Sequence, residues 1–331
     1  MTLDLPFVFL ALMGLAILAY VILDGFDLGV GILLPLARRD EQDLMVASIG
    51  PFWDANETWL VLGVGILLVA FPKAHGIILT ALYIPVALML TFLIVRGVSF
   101  EFRVKASGWH REAWNKAFFV GSLGAALAQG VMLAGVVTGF RSGPLYALFG
   151  LLVGVGLAGG YALLGATWLV IKTEGELRAR ALRWSRGALL LSVAGVAAIS
   201  LATPFASANL YERWFAWPNW LLLAPLPLAT AASSAGVWRS VGRLQRGESA
   251  REWPPFVLAV WVFVFAFAGL AYSLYPYLVL DRMTYREAAA APASLWIVFV
   301  GAAVVLPLIV GYTVLAYRVF WGKARASSYG Q

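Results

Sequence analysis

Nine apolar stretches, each long enough to cross a lipid bilayer, constrain this chain more than any other feature. About 20 apolar residues span the hydrocarbon core, and such segments fall at roughly 6–36, 51–71, 76–98, 117–139, 144–171, 187–206, 218–239, 254–280 and 294–320. Composition agrees, because 62% of the 331 residues are hydrophobic and 12% are charged, against about 45–50% and about 25% in soluble proteins. The 14 Trp and 12 Tyr suit belts at the two lipid–water interfaces. The chain reads as all-α, a polytopic membrane protein with nine transmembrane helices and one integral membrane domain over 1–331. No connecting loop is long enough to form a soluble domain. The N-terminal Met1-Thr2-Leu3-Asp4 lacks the basic start of a cleaved leader, so the first apolar run is expected to stay as a helix.

Lys and Arg set the orientation. Nineteen of the 24 fall in the first, third, fifth and seventh loops and the C-terminal tail, and five on the other side. The five are Lys73, Arg141, Arg213, Arg282 and Arg286. Cytoplasmic loops carry the excess of positive charge, so the N-terminus is predicted to be periplasmic and the C-terminus cytoplasmic. The same asymmetry explains the net charge of +7 without nucleic acid. Eight helices plus one can form two four-helix bundles, over 1–139 and 144–280, with a ninth helix at 294–320. The fifth segment carries Gly150, Gly154, Gly156, Gly159, Gly160 and Gly165, a small-residue surface for close helix contact.

Acidic residues inside these segments are the next signal, since a carboxylate at the bilayer centre costs on the order of 2.5–3.5 kcal/mol. Entering from outside near Pro6, the first helix carries Asp24 about 27 Å along its length, at about 1.5 Å per residue. Asp24 and Asp27 are three apart and share a helix face, with Gly25 and Gly29 clearing space beside them. The second helix starts at Pro51, so Asp54 and Glu57 lie about 5 and 9 Å in from the cytoplasmic side, where the helix dipole favours negative charge. The third helix brings Arg96 to the same level, with Glu101 and Arg103 expected in the loop that follows. The four carboxylates and Arg96 are therefore predicted to converge near the cytoplasmic surface. Such a cluster can be static pairing that fixes helix packing. It can also be the mouth of a proton path, because burial disfavours the charged form and lets a carboxyl exchange protons near neutral pH. Both readings stand for Asp24, Asp27, Glu57 and Arg96, while Asp54, nearest the water, is better explained by proton entry. Gln129, in the fourth helix, is expected to make a helix–helix hydrogen bond.

Absences narrow the chemistry. There is no cysteine, which removes disulfides, thiolate metal sites and cysteine-attached haem. The two histidines, His75 and His110, fall in predicted loops on opposite faces, a poor basis for ligating haem iron. No phosphate-binding loop or dinucleotide fingerprint occurs in a suitable context.

Asp24-Gly25-Phe26-Asp27-Leu28-Gly29-Val30-Gly31, Gly50-Pro51-Phe52-Trp53-Asp54-Ala55-Asn56-Glu57-Thr58-Trp59 and Arg96-Gly97-Val98-Ser99-Phe100-Glu101-Phe102-Arg103 together resemble subunit II of cytochrome bd-type quinol oxidases. The spelling from Trp53 to Trp59 is similar to the cyanide-insensitive branch of that family. The resemblance implies a haem-free subunit in the bacterial inner (plasma) membrane, paired with a subunit I that carries haems b and haem d. The complex would oxidise quinol and reduce O2 to water. The family's Asp on a cytoplasmic proton route matches Asp54, with Glu57, Asp24 and Asp27 as further members of the path. Trp53, Asn56, Trp59, Arg96, Glu101 and Arg103 would support that polar cluster. No catalytic residue and no metal ligand are expected in this chain. The resemblance also leaves room for a small accessory subunit, membrane lipid and a structural quinone or lipid. The rival class is a proton- or cation-coupled secondary transporter, which would place its binding groups at the midplane on broken helices. A third reading is a scaffold in which every acid only pairs.

Overall fold

Helices, the long ones mostly beginning at Pro or Gly, make up nearly all of the computed structural model, which describes residues 3–325. In chain order these are α1 (Leu5–Leu33), α2 (Arg39–Ala47), α3 (Trp53–Ala70), α4 (Pro72–Lys105), α5 (Gly108–Val137), α6 (Pro144–Lys172) and α7 (Gly175–Ala202). There follow α8 (Ala208–Phe215), α9 (Asn219–Leu223), α10 (Pro225–Gln245), α11 (Pro254–Leu274), the strands β1 (Tyr277–Val279) and β2 (Met283–Thr284), α12 (Tyr285–Ala288) and α13 (Pro292–Val319). Among the described residues nine helical spans are long and apolar enough to cross a membrane, with α9 and α10 counting as one.

Helix α1 is the axis of the fold. It packs on α3, α5 and α6, with α5 and α6 also packed on each other, while α4 lies along α5, α7 along α6, and α10 along α7 and α11. One continuous core cluster draws from α1, α5, α6, α7, α10 and α11, including Phe26, Tyr161, Leu189, Val237 and Ala259. Glycine sets the closest crossing: a Cβ on Gly29 would lie 1.8 Å from the Tyr161 carbonyl oxygen, and one on Gly165 would lie 2.5 Å from the Gly29 carbonyl carbon. The glycines of α6 thus serve helix contact, as their spacing predicts.

Ion pairs join the loops at each end. At the arginine-rich end Arg38 pairs with Glu176 (2.6 Å), Arg39 with Glu112 (3.1 Å), Arg180 with Glu41 (3.5 Å) and Arg178 with Glu252 (3.2 Å). At the other end Asp4 pairs with Arg286 (2.6 Å) and Asn209 donates to Asp281 (2.8 Å).

Several boundaries differ from the apolar runs. Helix α4 continues to Lys105, so Glu101 and Arg103 are helical and not in a loop. Helix α7 begins at Gly175, well before the apolar stretch, because its arginines extend into the ionic layer and pair there. His75 and His110 likewise lie in the first turns of α4 and α5. Helix α11 stops at Leu274, ahead of Pro276, which has no N–H to continue it. The residues after it form the β1–β2 hairpin and α12, whose Thr284 and Glu287 make a capping box. Helix α4 departs from helical geometry at Leu82 (φ −109°, ψ 15°), one turn before Pro85, whose ring crowds the preceding turn.

Candidate functional site

Asp24 and Asp27 sit on the buried side of α1, each 0% exposed. Arg96 of α4 is also 0% exposed, and a glycine lets its backbone come that close: a Cβ on Gly121 of α5 would lie 2.8 Å from the Arg96 nitrogen. The guanidinium gathers three carboxylates. Its Nη1 lies 2.8 Å from Asp24 Oδ1 and 2.7 Å from Glu57 Oε1, and its Nη2 lies 3.9 Å from Asp27 Oδ2. The contact with Glu57 is an aligned hydrogen bond, whereas Asp24 is held by charge at an angle outside hydrogen-bond geometry. The Trp53 ring lies 5.6 Å from the guanidinium carbon and adds a cation–π contact. Charge counting is simple here. Three carboxylates around one guanidinium sum to minus two unless protons are held, and unbalanced charge in an apolar slab is costly.

Neutral polar groups complete the cluster. Asn56 of α3 donates its amide to Asp27 Oδ2 (2.8 Å) and to the Leu23 carbonyl (3.3 Å), and its oxygen accepts from the Tyr317 hydroxyl of α13 (3.1 Å). The Tyr20 hydroxyl, one turn before Asp24, interacts with that carboxylate. It also accepts from Gln129 (2.7 Å), whose own oxygen accepts from the Tyr161 hydroxyl (2.6 Å). Gln129 therefore bridges α1 and α6 from α5, the helix–helix role expected of it, and its bridge ends on the acid cluster.

Asp54 lies in the first turn of α3, exposed, without hydrogen bond or ion pair among the described residues. Its charge bears on Glu57, one turn further in. Glu57 is the one of the three carboxylates on Arg96 whose side chain reaches the surface, at 27% exposure against 0% for both aspartates. The acids are thus graded from exposed Asp54 through half-buried Glu57 to buried Asp24 and Asp27. That is an arrangement able to pass a proton inward by short steps.

Two of the expected support residues lie elsewhere. Glu101 is exposed and makes no hydrogen bond or ion pair among the described residues. Arg103 belongs to a second network, pairing with Asp43 (2.9 Å) and donating to Asn115 (2.8 Å), which in turn donates to Gln42 (2.7 Å). Trp59 packs near Ala16 and Tyr20, without a polar contact among the described residues. Tyr20, Tyr161 and Tyr317 are the polar members that sequence reasoning missed. A tyrosine in an apolar helix carries no charge to mark it, and Tyr317 lies 261 positions from Asn56.

Comparison with known proteins bears on the whole chain. The family model for cytochrome bd terminal oxidase subunit II matches residues 5–320. "Cytochrome bd ubiquinol oxidase subunit 2" of Bacillus subtilis is 26% identical, over 96% of this chain and 95% of that one. "Cytochrome bd-I ubiquinol oxidase subunit 2" of Escherichia coli K12 is 32% identical over 207 residues, which is 57% of this chain and 54% of the relative, so the chain spans about half the length of that relative. Among solved structures, a chain of the bd oxidase from Geobacillus thermodenitrificans has the same fold, with a TM-score of 0.76 over 97% of this chain and 100% of its own at 17% identity. With nine membrane-spanning helices among the described residues and the family model matched from the first span to the last, the chain belongs to the cytochrome bd terminal oxidase subunit II family.

Proposed function

We propose that this chain is the haem-free second subunit of a quinol:O2 oxidoreductase, stabilising a haem-bearing subunit I and supplying it with cytoplasmic protons. The chain itself is an integral multi-pass protein of the inner membrane, and the arginine-rich end, where Asp54 lies, faces the cytoplasm in this reading. The observation that carries it is the gathering of Asp24, Asp27 and Glu57 around Arg96, with Glu57 open to the surface beside Asp54. Asp54 collects protons from water, Glu57 takes them in, and the buried aspartates hold them at the level of the partner. Arg96 supplies the fixed positive charge that lets several carboxyls share so small a space. Forming water from O2 consumes protons, and drawing them from the cytoplasm while quinol releases its own outside builds a gradient without pumping.

In this reading the haems belong to the partner. His75 and His110 stand in the first turns of α4 and α5, with the whole of α4 between them, so no pair of imidazoles brackets a haem plane. The work of this chain is to hold, orient and pass protons.

Purification tests the class. The complex is expected to carry a second membrane chain and visible haem absorption; a colourless protein that moves a solute would overturn the reading in favour of a transporter. Asp54→Asn tests the role. We expect an assembled complex with normal haem content and O2 consumption lowered at least about 10-fold, short of the roughly 100-fold or more that a positioned acid–base group contributes, since water can still deliver protons slowly. Near-normal turnover would reject proton entry at Asp54.

A further inference from the structure

We infer that Tyr317, near the inner end of α13, is a positioning residue for the Asp27 carboxylate, acting through the side-chain amide of Asn56. The inference rests on the proton-supply reading above. Asn56 is 1% exposed, and one end of its amide faces Asp27 Oδ2 at 2.8 Å and, at 3.3 Å, the Leu23 carbonyl, a group that can only accept. That end is therefore the nitrogen. The other end is then the oxygen, and the Tyr317 hydroxyl 3.1 Å away is its donor. An amide held at one end can still turn about its last bond; held at both ends, it presents its N–H to Asp27 in one orientation.

Asp27 depends on that orientation more than its neighbours do. Of the three carboxylates it lies farthest from the guanidinium, at 3.9 Å, and its other oxygen has no hydrogen-bond partner among the described residues. The Asn56 amide is the donor that holds it.

The tyrosine is itself fixed. Its ring stacks on Phe52, with centroids 4.4 Å apart and planes 22° from parallel, and meets Trp168 edge-on at 6.3 Å. Along the rest of α13 only Leu295 is buried, so side-chain packing alone does not set the register of this helix. The chain just beyond it does. Lys172, at the end of α6, donates to the carbonyls of Phe320 (2.7 Å) and Gly322 (3.1 Å), and the Ala324 N–H donates to the Lys172 carbonyl (2.8 Å). Lys323 in turn donates to the Thr173 carbonyl (3.0 Å) and pairs with Glu252 (2.5 Å). These contacts hold α13 where Tyr317 meets Asn56, so the ninth helix reaches the acid cluster through one hydroxyl.

Tyr317→Phe in the purified complex keeps the ring and its stack and removes only that hydroxyl. We expect full assembly, O2 consumption lowered about 2- to 10-fold, the span covered by one net hydrogen bond, and a pH profile of turnover that is displaced and not merely scaled down. In an Asp27→Asn background the same substitution is expected to have no further effect, as for two changes on one pathway. Wild-type rate and profile in Tyr317→Phe, or an equal loss with and without Asp27→Asn, would overturn the proposal. If Tyr317→Phe does not assemble, Asn56→Leu, which removes the intermediate amide, is read by the same displaced profile and the same silence on Asp27→Asn. Wild-type turnover in Asp27→Asn alone would instead overturn the proton-supply reading of Asp27, and the proposal with it.

Discussion

Arg96 decides whether the acid cluster can exist. It is fully buried and touches every buried carboxylate in the site. Removing one partner from a buried ionic group leaves uncompensated charge and costs about 3–5 kcal/mol. Arg96→Met is therefore expected to destabilise the purified complex by that order, read as a lower thermal midpoint and yield. Adding Asp24→Asn to Arg96→Met should restore part of the loss, since it removes one of the stranded charges. An unchanged midpoint in Arg96→Met would mean that the guanidinium is not the counter-charge of these acids. At this scale much was legible in the sequence. Charged residues three apart in an apolar run announce themselves, and Asp24, Asp27, Glu57 and Arg96 do meet. Tyr20, Tyr161 and Tyr317 were not legible, because their hydroxyls are neutral and their partners lie on other helices. Glu101 and Arg103 share the motif of Arg96 yet stay out of its cluster: five residues on, Glu101 falls on another face of a helix with 3.6 residues per turn, and seven residues on, Arg103 keeps the face but lies about 10 Å further along the helix, where it meets Asp43 and Asn115.

Between elements, glycine governs how near the acids of α1 come to the rest of the bundle. The crossing of α1 and α6 at Gly29 and Gly165 leaves no room for a side chain: a Cβ on Gly29 would overlap the Tyr161 backbone, which cannot rotate away. Gly29→Ala is expected to destabilise the complex by at least about 1–3 kcal/mol, the usual cost of overpacking. Gly187 of α7 meets nothing within 4 Å, so Gly187→Ala is expected to leave the midpoint unchanged or slightly raised, as Ala favours helix. Equal midpoints for the two variants would show that the crossing can open at little cost. Element positions were readable from hydropathy, but element ends were not. Hydropathy reports where apolar residues stop, whereas α4 and α7 continue into the ionic layer, where their arginines find carboxylates. The β1–β2 hairpin and α12 escaped notice because the apolar run seemed to continue past Tyr275, and Pro276 ends the helix first.

Across the whole molecule, one side of the chain is built for contact with itself and another is not. Most of the apolar span of α6 is buried within the chain, while little of α4 and almost none of α13 is. In α4 the exposed residues include Tyr83, Ile84, Leu88, Ile94 and Val98, a lipid-compatible surface on the same helix that carries Arg96. The acid cluster thus lies between a tightly packed interior and a helix that presents apolar side chains outward, which suits the proposed supply of protons to a neighbour. Proton uptake at the cytoplasmic face measures that most directly. With the complex reconstituted in vesicles and a pH-sensitive dye on the side of the arginine-rich end, uptake during O2 reduction can be timed in the wild type and in Glu57→Gln. The account predicts that uptake and O2 consumption slow together in Glu57→Gln while the haem spectrum stays normal. Uptake at the wild-type rate in that variant would contradict it.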